Sequence, residues 1–383
     1  MSAQGIKTPM TVQEIKERFD KLPRFKRAFY PTPFHKMENL SADYGCNIFA
    51  KREDMSGPSN FGGNKVRKLE LIIGKALAEG YDTLISMGAY QTNSAMEFCQ
   101  FCRLANITPI VYLADIHDVG IPSKPDDVEG NMRLMRMMGV EMHFVAKDEG
   151  WTGSFMQPLW DKAYRVMDAR KAELEAEGHK VWCIPSGCAD DEAMPSYVLG
   201  FAEIMEQSAA AGVKLDYIYH TNGTSGSLPG LILGKYLMGS DVEIRSITCI
   251  YCDTEDPKDQ GDFTPANGGG PGEIVRRVQY AAKLLGVEAP PEDWIRAQIH
   301  FDNNYYGEEY GEPTELATKT MLEVASREGF FTDSVYSGKG MAGMLDHIRT
   351  GKVPKGSNVC FIHTGGTGAL FAEEGLTGKI TGM

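Results

Sequence analysis

The sequence predicts an α/β protein built on two open, twisted, mainly parallel sheets flanked by helices. Short β-rich runs alternate with stretches of helical periodicity along most of the chain, which implies crossover connections. Clusters of glycines and hydroxyls stand directly after several of those runs, where open α/β sheets bind ligands. At 383 residues the chain has room for about two or three domains or one large α/β unit.

Each element has its own signal. Thr83 to Met87 (TLISM) is short and apolar, as a strand buried on both faces should be. Helical spacing follows over Asn93 to Leu104, then a second strand, Pro109 to Leu113. Gly130 to Met138 is helical and Glu141 to Val145 extended. Further on come a strand at Asp216 to His220, a helix at Leu228 to Leu237 and a strand at Glu243 to Tyr251. Helices at Glu273 to Leu285 and Thr314 to Arg327 precede the last strand, Asn358 to His363. Two segments break the rhythm. Ile116 to Glu129 carries two prolines and is expected as a loop. Cys252 to Gly272 holds five acidic residues, three prolines and a Gly-Gly-Gly run, so it supplies no packed face. It is expected as an interface arm, a disordered segment or a lid.

Composition excludes several classes. The formal charge is −13, against nucleic-acid binding, which needs a cationic surface. No run approaches the roughly 18 apolar residues of a membrane span. Met1 to Phe19 has the pattern of neither a signal peptide nor a transit peptide. Cys99 and Cys102 form a C-x-x-C, but inside a helical pattern and without a second pair. The eight cysteines are expected as reduced thiols of a cytoplasmic protein, with no metal.

Four clusters carry chemistry. Gly62-Gly63-Asn64-Lys65 runs straight into a helix. A lysine at a helix N-terminus sits in a positive field that favours its neutral amine, the form that attacks an aldehyde. Gly88 to Ser94 puts hydroxyls and amides on a strand-to-helix turn, a site for a carboxylate or a plain helix cap. Thr221 to Ser227 (TNGTSGS) opens a helix after a strand and can nest a phosphate, yet matches neither a Walker A motif nor G-x-G-x-x-G. Val359 to Gly366 is an apolar strand ending in Gly365-Gly366, suited to a flat ring. Lysine, phosphate cup, carboxylate site and ring platform together are what pyridoxal phosphate chemistry requires.

These segments resemble the 1-aminocyclopropane-1-carboxylate deaminase and D-cysteine desulfhydrase family, of the tryptophan-synthase-β-like fold (fold type II), and also L-cysteate sulfo-lyase. The family's Gly-Gly-Asn-Lys-x-Arg-Lys-Leu-Glu motif is unbroken at Gly62 to Glu70. Gly130 to Gly139, Ile184 to Cys188, Gly200 to Glu203, Tyr310 to Pro313, Asp333 to Met341 and His363 to Gly366 resemble further family segments. The resemblance implies that Lys65 holds pyridoxal 5'-phosphate as a Schiff base, with Lys68 near the phosphate. It implies a cofactor-binding set of Asn93, Asn222, Gly223, Thr224, Ser225, Gly226, Ser227, Ser337, Thr364 and Gly365. Tyr90, Gln91, Thr92 and Asn93 are the expected substrate contacts. Thr92, Tyr310 and Tyr336 join Lys65 as expected catalytic residues.

Two departures matter. The family's Gly-Gly-x-Gln-Ser-Asn is here Gly-Ala-Tyr-Gln-Thr-Asn, at Gly88 to Asn93. Position 337 is a serine, where the cyclopropane-opening enzymes have a glutamate beside the pyridine nitrogen. A hydroxyl leaves the ring less electron-withdrawing, which suffices when a β leaving group departs with the electrons. The expected function is therefore β-elimination from a small amino acid, such as D-cysteine or L-cysteate, to pyruvate and ammonia. The alternative is 1-aminocyclopropane-1-carboxylate deamination to 2-oxobutanoate and ammonia. Residues 1–69 and 181–383 are expected to form a large cofactor-binding domain and 70–180 a small one. The resemblance also implies a homodimer.

Overall fold

The computed structural model describes residues 8–115, 129–148, 156–252, 254, 270–308 and 310–372. Most of the two expected loop segments lies outside the described residues. The strands are β1 (Phe34–Lys36), β2 (Asn47–Arg52), β3 (Thr83–Ala89), β4 (Thr108–Ala114), β5 (Glu141–Val145), β6 (Val181–Ile184), β7 (Tyr217–Asn222), β8 (Glu243–Thr248), β9 (Phe301–Asp302) and β10 (Asn358–His363). The helices are α1 (Val12–Phe19), α2 (Glu38–Tyr44), α3 (Lys65–Glu79), α4 (Asn93–Leu104), α5 (Gly130–Met137), α6 (Met156–Ala176), α7 (Ser196–Ala210), α8 (Leu228–Leu237), α9 (Pro271–Leu285), α10 (Glu292–Arg296), α11 (Glu315–Glu328) and α12 (Ser337–Arg349).

Among the described residues the strands form two sheets. The larger has the order β1-β2-β10-β7-β8-β9 and the smaller β5-β4-β3-β6. Every pairing is parallel except β1 with β2. The expected fold class is what the chain adopts. All seven residues of β3 are buried, as a central parallel strand covered on both faces requires. That strand runs two residues past the expected Met87, because its ladder with β4 continues from Thr83↔Thr108 to Ala89↔Ala114. In contrast, β8 stops at Thr248, three residues before Tyr251.

The expected domain boundary at residue 180 falls just before β6. That strand pairs with β3 from Thr83↔Val181 to Ser86↔Ile184, so the smaller sheet extends to Ile184. In the larger unit α7 packs tightly on α8. A Cβ on Gly230 would lie 2.7 Å from the Tyr197 Cβ, and one on Gly234 2.7 Å from the Phe201 Cβ. Nine of the ten residues of α8 are buried, which fixes its N-terminus at the sheet edge.

Candidate active site

A cleft of about 800 Å³, counting its solvent-open space, collects four of the sequence clusters. From the side of the smaller sheet come Gly88, Ala89, Thr92, Ser94 and Trp160. The larger sheet contributes Thr221 to Ser227, Ile250, Tyr310, Tyr336 and Thr364. Asn64, Lys65, Lys68, Ser186 and Gly187 complete the lining. Ala89, Asn222 and His363 end their parallel strands here, the usual ligand position of open α/β sheets.

Lys65 is the first residue of α3, and its Nζ lies 5.3 Å from the centroid of the Tyr336 ring. Two turns of chemistry fix that helix. Arg67 is fully enclosed and donates to Glu53 at 2.5 and 2.8 Å and to Glu203 at 3.1 Å. Lys51 bonds Glu203 from the other side and Gln207 at 2.7 Å. A buried charge is retained only when paired in this way. Lys68 is also buried, and donates to the Gly187 carbonyl at 3.2 Å. Burial, then the charge of Lys65, pull its ammonium down to about 7.

The Asn222–Ser227 loop wraps around that ammonium. A Cβ on Gly226 would fall 2.5 Å from Lys68 Nζ, so this position tolerates no side chain without moving the lysine. Ser225 has φ +54° and its Oγ accepts from Asn222 Nδ2 at 2.9 Å. Arg277 holds the loop from behind through the Thr224 carbonyl at 2.7 Å. The loop leads into α8, whose N-terminal N–H groups open toward the same space.

Tyr310 and Tyr336 join their hydroxyls by a hydrogen bond, with ring planes at 66°. Burial drives both phenols above their usual range. Both are therefore protonated at neutral pH, so they donate hydrogen bonds and are not resting bases. Thr92 caps α4, accepting from Ala95 N at 3.3 Å, and its Oγ1 lies 3.0 Å from Ser94 Oγ.

A family model described as pyridoxal-phosphate dependent enzyme matches residues 25–365. The chain belongs to that family. It is 32% identical over 359 residues to a 1-aminocyclopropane-1-carboxylate deaminase of Burkholderia cenocepacia, covering 93% of this chain and 98% of the relative. A protein of the same description from Ralstonia pickettii is 33% identical over 355 residues, covering 92% and 96%. The crystal structure of an ACC deaminase homologue superposes with a TM-score of 0.75 at 28% identity, over 94% of this chain and 96% of that one. An O-ureido-L-serine synthase shares the fold, with a TM-score of 0.59 at 15% identity over 90% and 92%. The chain is thus a fold type II enzyme of the ACC deaminase and β-elimination group, and pyridoxal phosphate is its cofactor.

The cleft fits that cofactor. Asn64 donates to Ser227 Oγ at 3.1 Å, but its Oδ1 is buried in the lining without a partner. Lys68 and the Asn222–Ser227 loop would hold the cofactor's phosphate, and Lys65 opens the helix beside them. Thr364 lines the same space and its carbonyl accepts from Asn64 N at 3.1 Å.

Other expected contacts stand elsewhere. Gln91 and Asn93 line a smaller adjoining chamber, with Thr92, Tyr310 and Tyr336 shared between the two. Gln91 is spent on α5: its Oε1 accepts from Asn131 N at 2.8 Å. Asn93 Oδ1 accepts from Asn131 Nδ2 at 2.6 Å. Tyr90 is turned away from the cleft, edge-on to the Phe144 ring at 5.5 Å and bonded to Asp115. Gly365 lines neither chamber; it lets the turn after β10 press on the Gly62 carbonyl, 2.6 Å from where its Cβ would be. Ser337 also lines neither chamber. Its Oγ donates to Asp333 Oδ1 at 2.5 Å and accepts from Asp333 N at 3.0 Å. Trp160, Asn64, Ser94 and Glu97 escaped the sequence reading. Asn64 and Ser94 lie inside the Gly62–Lys65 and Gly88–Ser94 clusters, whereas Trp160 and Glu97 sit at helical spacing that reads as core.

Proposed function

We propose that the protein is a β-elimination lyase acting on a small β-substituted alanine, releasing pyruvate and ammonia. When bound, pyridoxal phosphate withdraws electrons from the substrate's α-carbon and makes the α-proton removable. Lys65 Nζ is the base within reach of that proton. Thr92 Oγ1, Ser94 Oγ and the N-terminus of α4 offer donors to the substrate carboxylate. The paired phenols of Tyr310 and Tyr336 give a proton to the departing β group. The observation that carries the choice of β-elimination is Ser337, whose hydroxyl proton is held by Asp333. The carboxylate beside it, Asp333, is already taken up by the N–H groups of Val335, Tyr336 and Ser337 and by the Ser337 hydroxyl.

Among the described lining residues of the cleft the cations are Lys65 and Lys68, and both are committed to the cofactor. This favours a neutral or thiol leaving group, as in D-cysteine, over the sulfonate of L-cysteate. A second reading, 1-aminocyclopropane-1-carboxylate deamination, is supported by the description of the relatives at 32% and 33% identity. The deciding experiment offers purified enzyme equal concentrations of D-cysteine, L-cysteate and 1-aminocyclopropane-1-carboxylate. Pyruvate from D-cysteine is expected to form fastest; faster 2-oxobutanoate from the cyclopropane would replace the first reading by the second. Lys65→Ala should abolish both turnover and the borohydride-fixed mass of the cofactor on the chain. We also infer a cytoplasmic homodimer. Phe29 and Met55, neighbours through the Phe29 N to Ser56 carbonyl bond, are 65% and 51% exposed, as surfaces awaiting a second copy would be.

A further inference from the structure

Glu97, on α4, lines neither chamber of the cleft. It is 1% exposed, and its Oε2 has no hydrogen-bond partner. The carboxylate lies against the Gly62–Lys65 turn: a Cβ on Gly63 would be 2.4 Å from its Oε1. The backbone N–H groups of Lys65 and Val66 are near enough to favour its charged form. Asn64, at the N-cap of α3, makes no side-chain cap bond of its own. A carboxylate from one helix therefore stands at the N-terminus of another, beside the turn that leads into Lys65.

Such a carboxylate is costly to bury. Burial raises it to about 7, opposed by the charges of Lys65 and Lys68 and by the two N–H groups. The titratable groups that face it are those two lysines on α3 and the buried thiol of Cys188, on the turn before α7. The thiol is pushed up to about 12 by burial and stays neutral. Above about pH 7 Glu97 is thus the anion facing the lysine pair, and there it also opposes the positive end of α3.

We propose that Glu97 is a positioning residue: it fixes the first turn of α3, and its negative charge holds the proton on the nitrogen that joins Lys65 to the cofactor. This rests on the cofactor alone and is independent of which leaving group the enzyme expels. The test uses holoenzyme and follows the visible absorbance of the lysine-bound cofactor as a function of pH. Glu97→Gln keeps the shape and removes the charge. Its midpoint should move down by about one to two pH units, the effect of one charge a few ångströms away at an effective dielectric near 20. A merely structural glutamate would lower cofactor occupancy or melting temperature and leave the midpoint in place, which would overturn the proposal. Should Glu97→Gln not fold, Glu97→Asp decides. Drawing the carboxylate back by one methylene should lower the midpoint by about half a unit, and an unmoved midpoint in that variant also overturns it.

Discussion

Lys68 would carry the proton that a bound phosphate needs, in a place where burial makes that proton hard to keep. With its ammonium pulled down to about 7, Lys68 is cationic below that pH and neutral above it. Inorganic phosphate should therefore bind the cofactor-free protein more weakly as pH rises from about 7 to 9. Calorimetric titration checks this, and Lys68→Met should flatten the dependence. The tyrosines titrate in the opposite sense. Both phenols are raised by burial, so no fall in rate should trace to phenol ionisation below about 10. If the pair delivers a proton, Tyr310→Phe and Tyr336→Phe should each lower kcat by roughly 100-fold. Near-normal rates in both would leave them as packing residues.

At the scale of elements, α3 matters most, because it carries Lys65 and Lys68 one turn apart on a helix anchored by Arg67. Arg67→Met would strand the buried carboxylate of Glu53 and leave the half-buried Glu203 to Lys51 alone. Removing one partner of such a network costs about 3–5 kcal/mol, readable as a lower denaturant midpoint together with lower cofactor occupancy. Gly226→Ala tests the cradle: its new Cβ would lie 2.5 Å from Lys68 Nζ, displacing the ammonium. The cofactor Kd should rise roughly tenfold or more, as for loss of a charged hydrogen bond, while far-ultraviolet circular dichroism stays unchanged. Much of this was legible locally. The bounds of α4, α8, β5 and β10 agree with their periodicity to the residue, since apolar spacing and caps are local signals. β1 and β2 escaped, being three and six residues long and made strands only by their partners.

For the whole molecule, the cleft takes its walls from both sheets and from α3. A cofactor held there would tie the two sheets together, and removing it should lower the melting temperature. Binding at about 1,000 times Kd is worth roughly 4 kcal/mol, so a scan of cofactor-free against loaded protein should show a clear gap. Light scattering in solution should give twice the chain mass of 42.2 kDa, and a monomer mass would sink the inferred homodimer. Among the described residues no helix is long and apolar enough to cross a membrane.

The sequence by itself determined the alternation of strands and helices, the unbroken Gly62–Glu70 motif and the hydroxyl loop at Asn222–Ser227. Those are properties of neighbours along the chain: spacing, small residues at a turn, a lysine at a helix start. Tertiary structure alone decided which way side chains turned. Tyr90 follows the same strand end as Gln91 and Thr92, yet packs on Phe144 because that ring comes from β5. Ser337 gives its proton to Asp333, and Glu97 reaches the first turn of α3 from another helix. The physical reason is that periodicity fixes a face and a helix start, while a buried polar group takes whichever partner distant segments bring within hydrogen-bond reach.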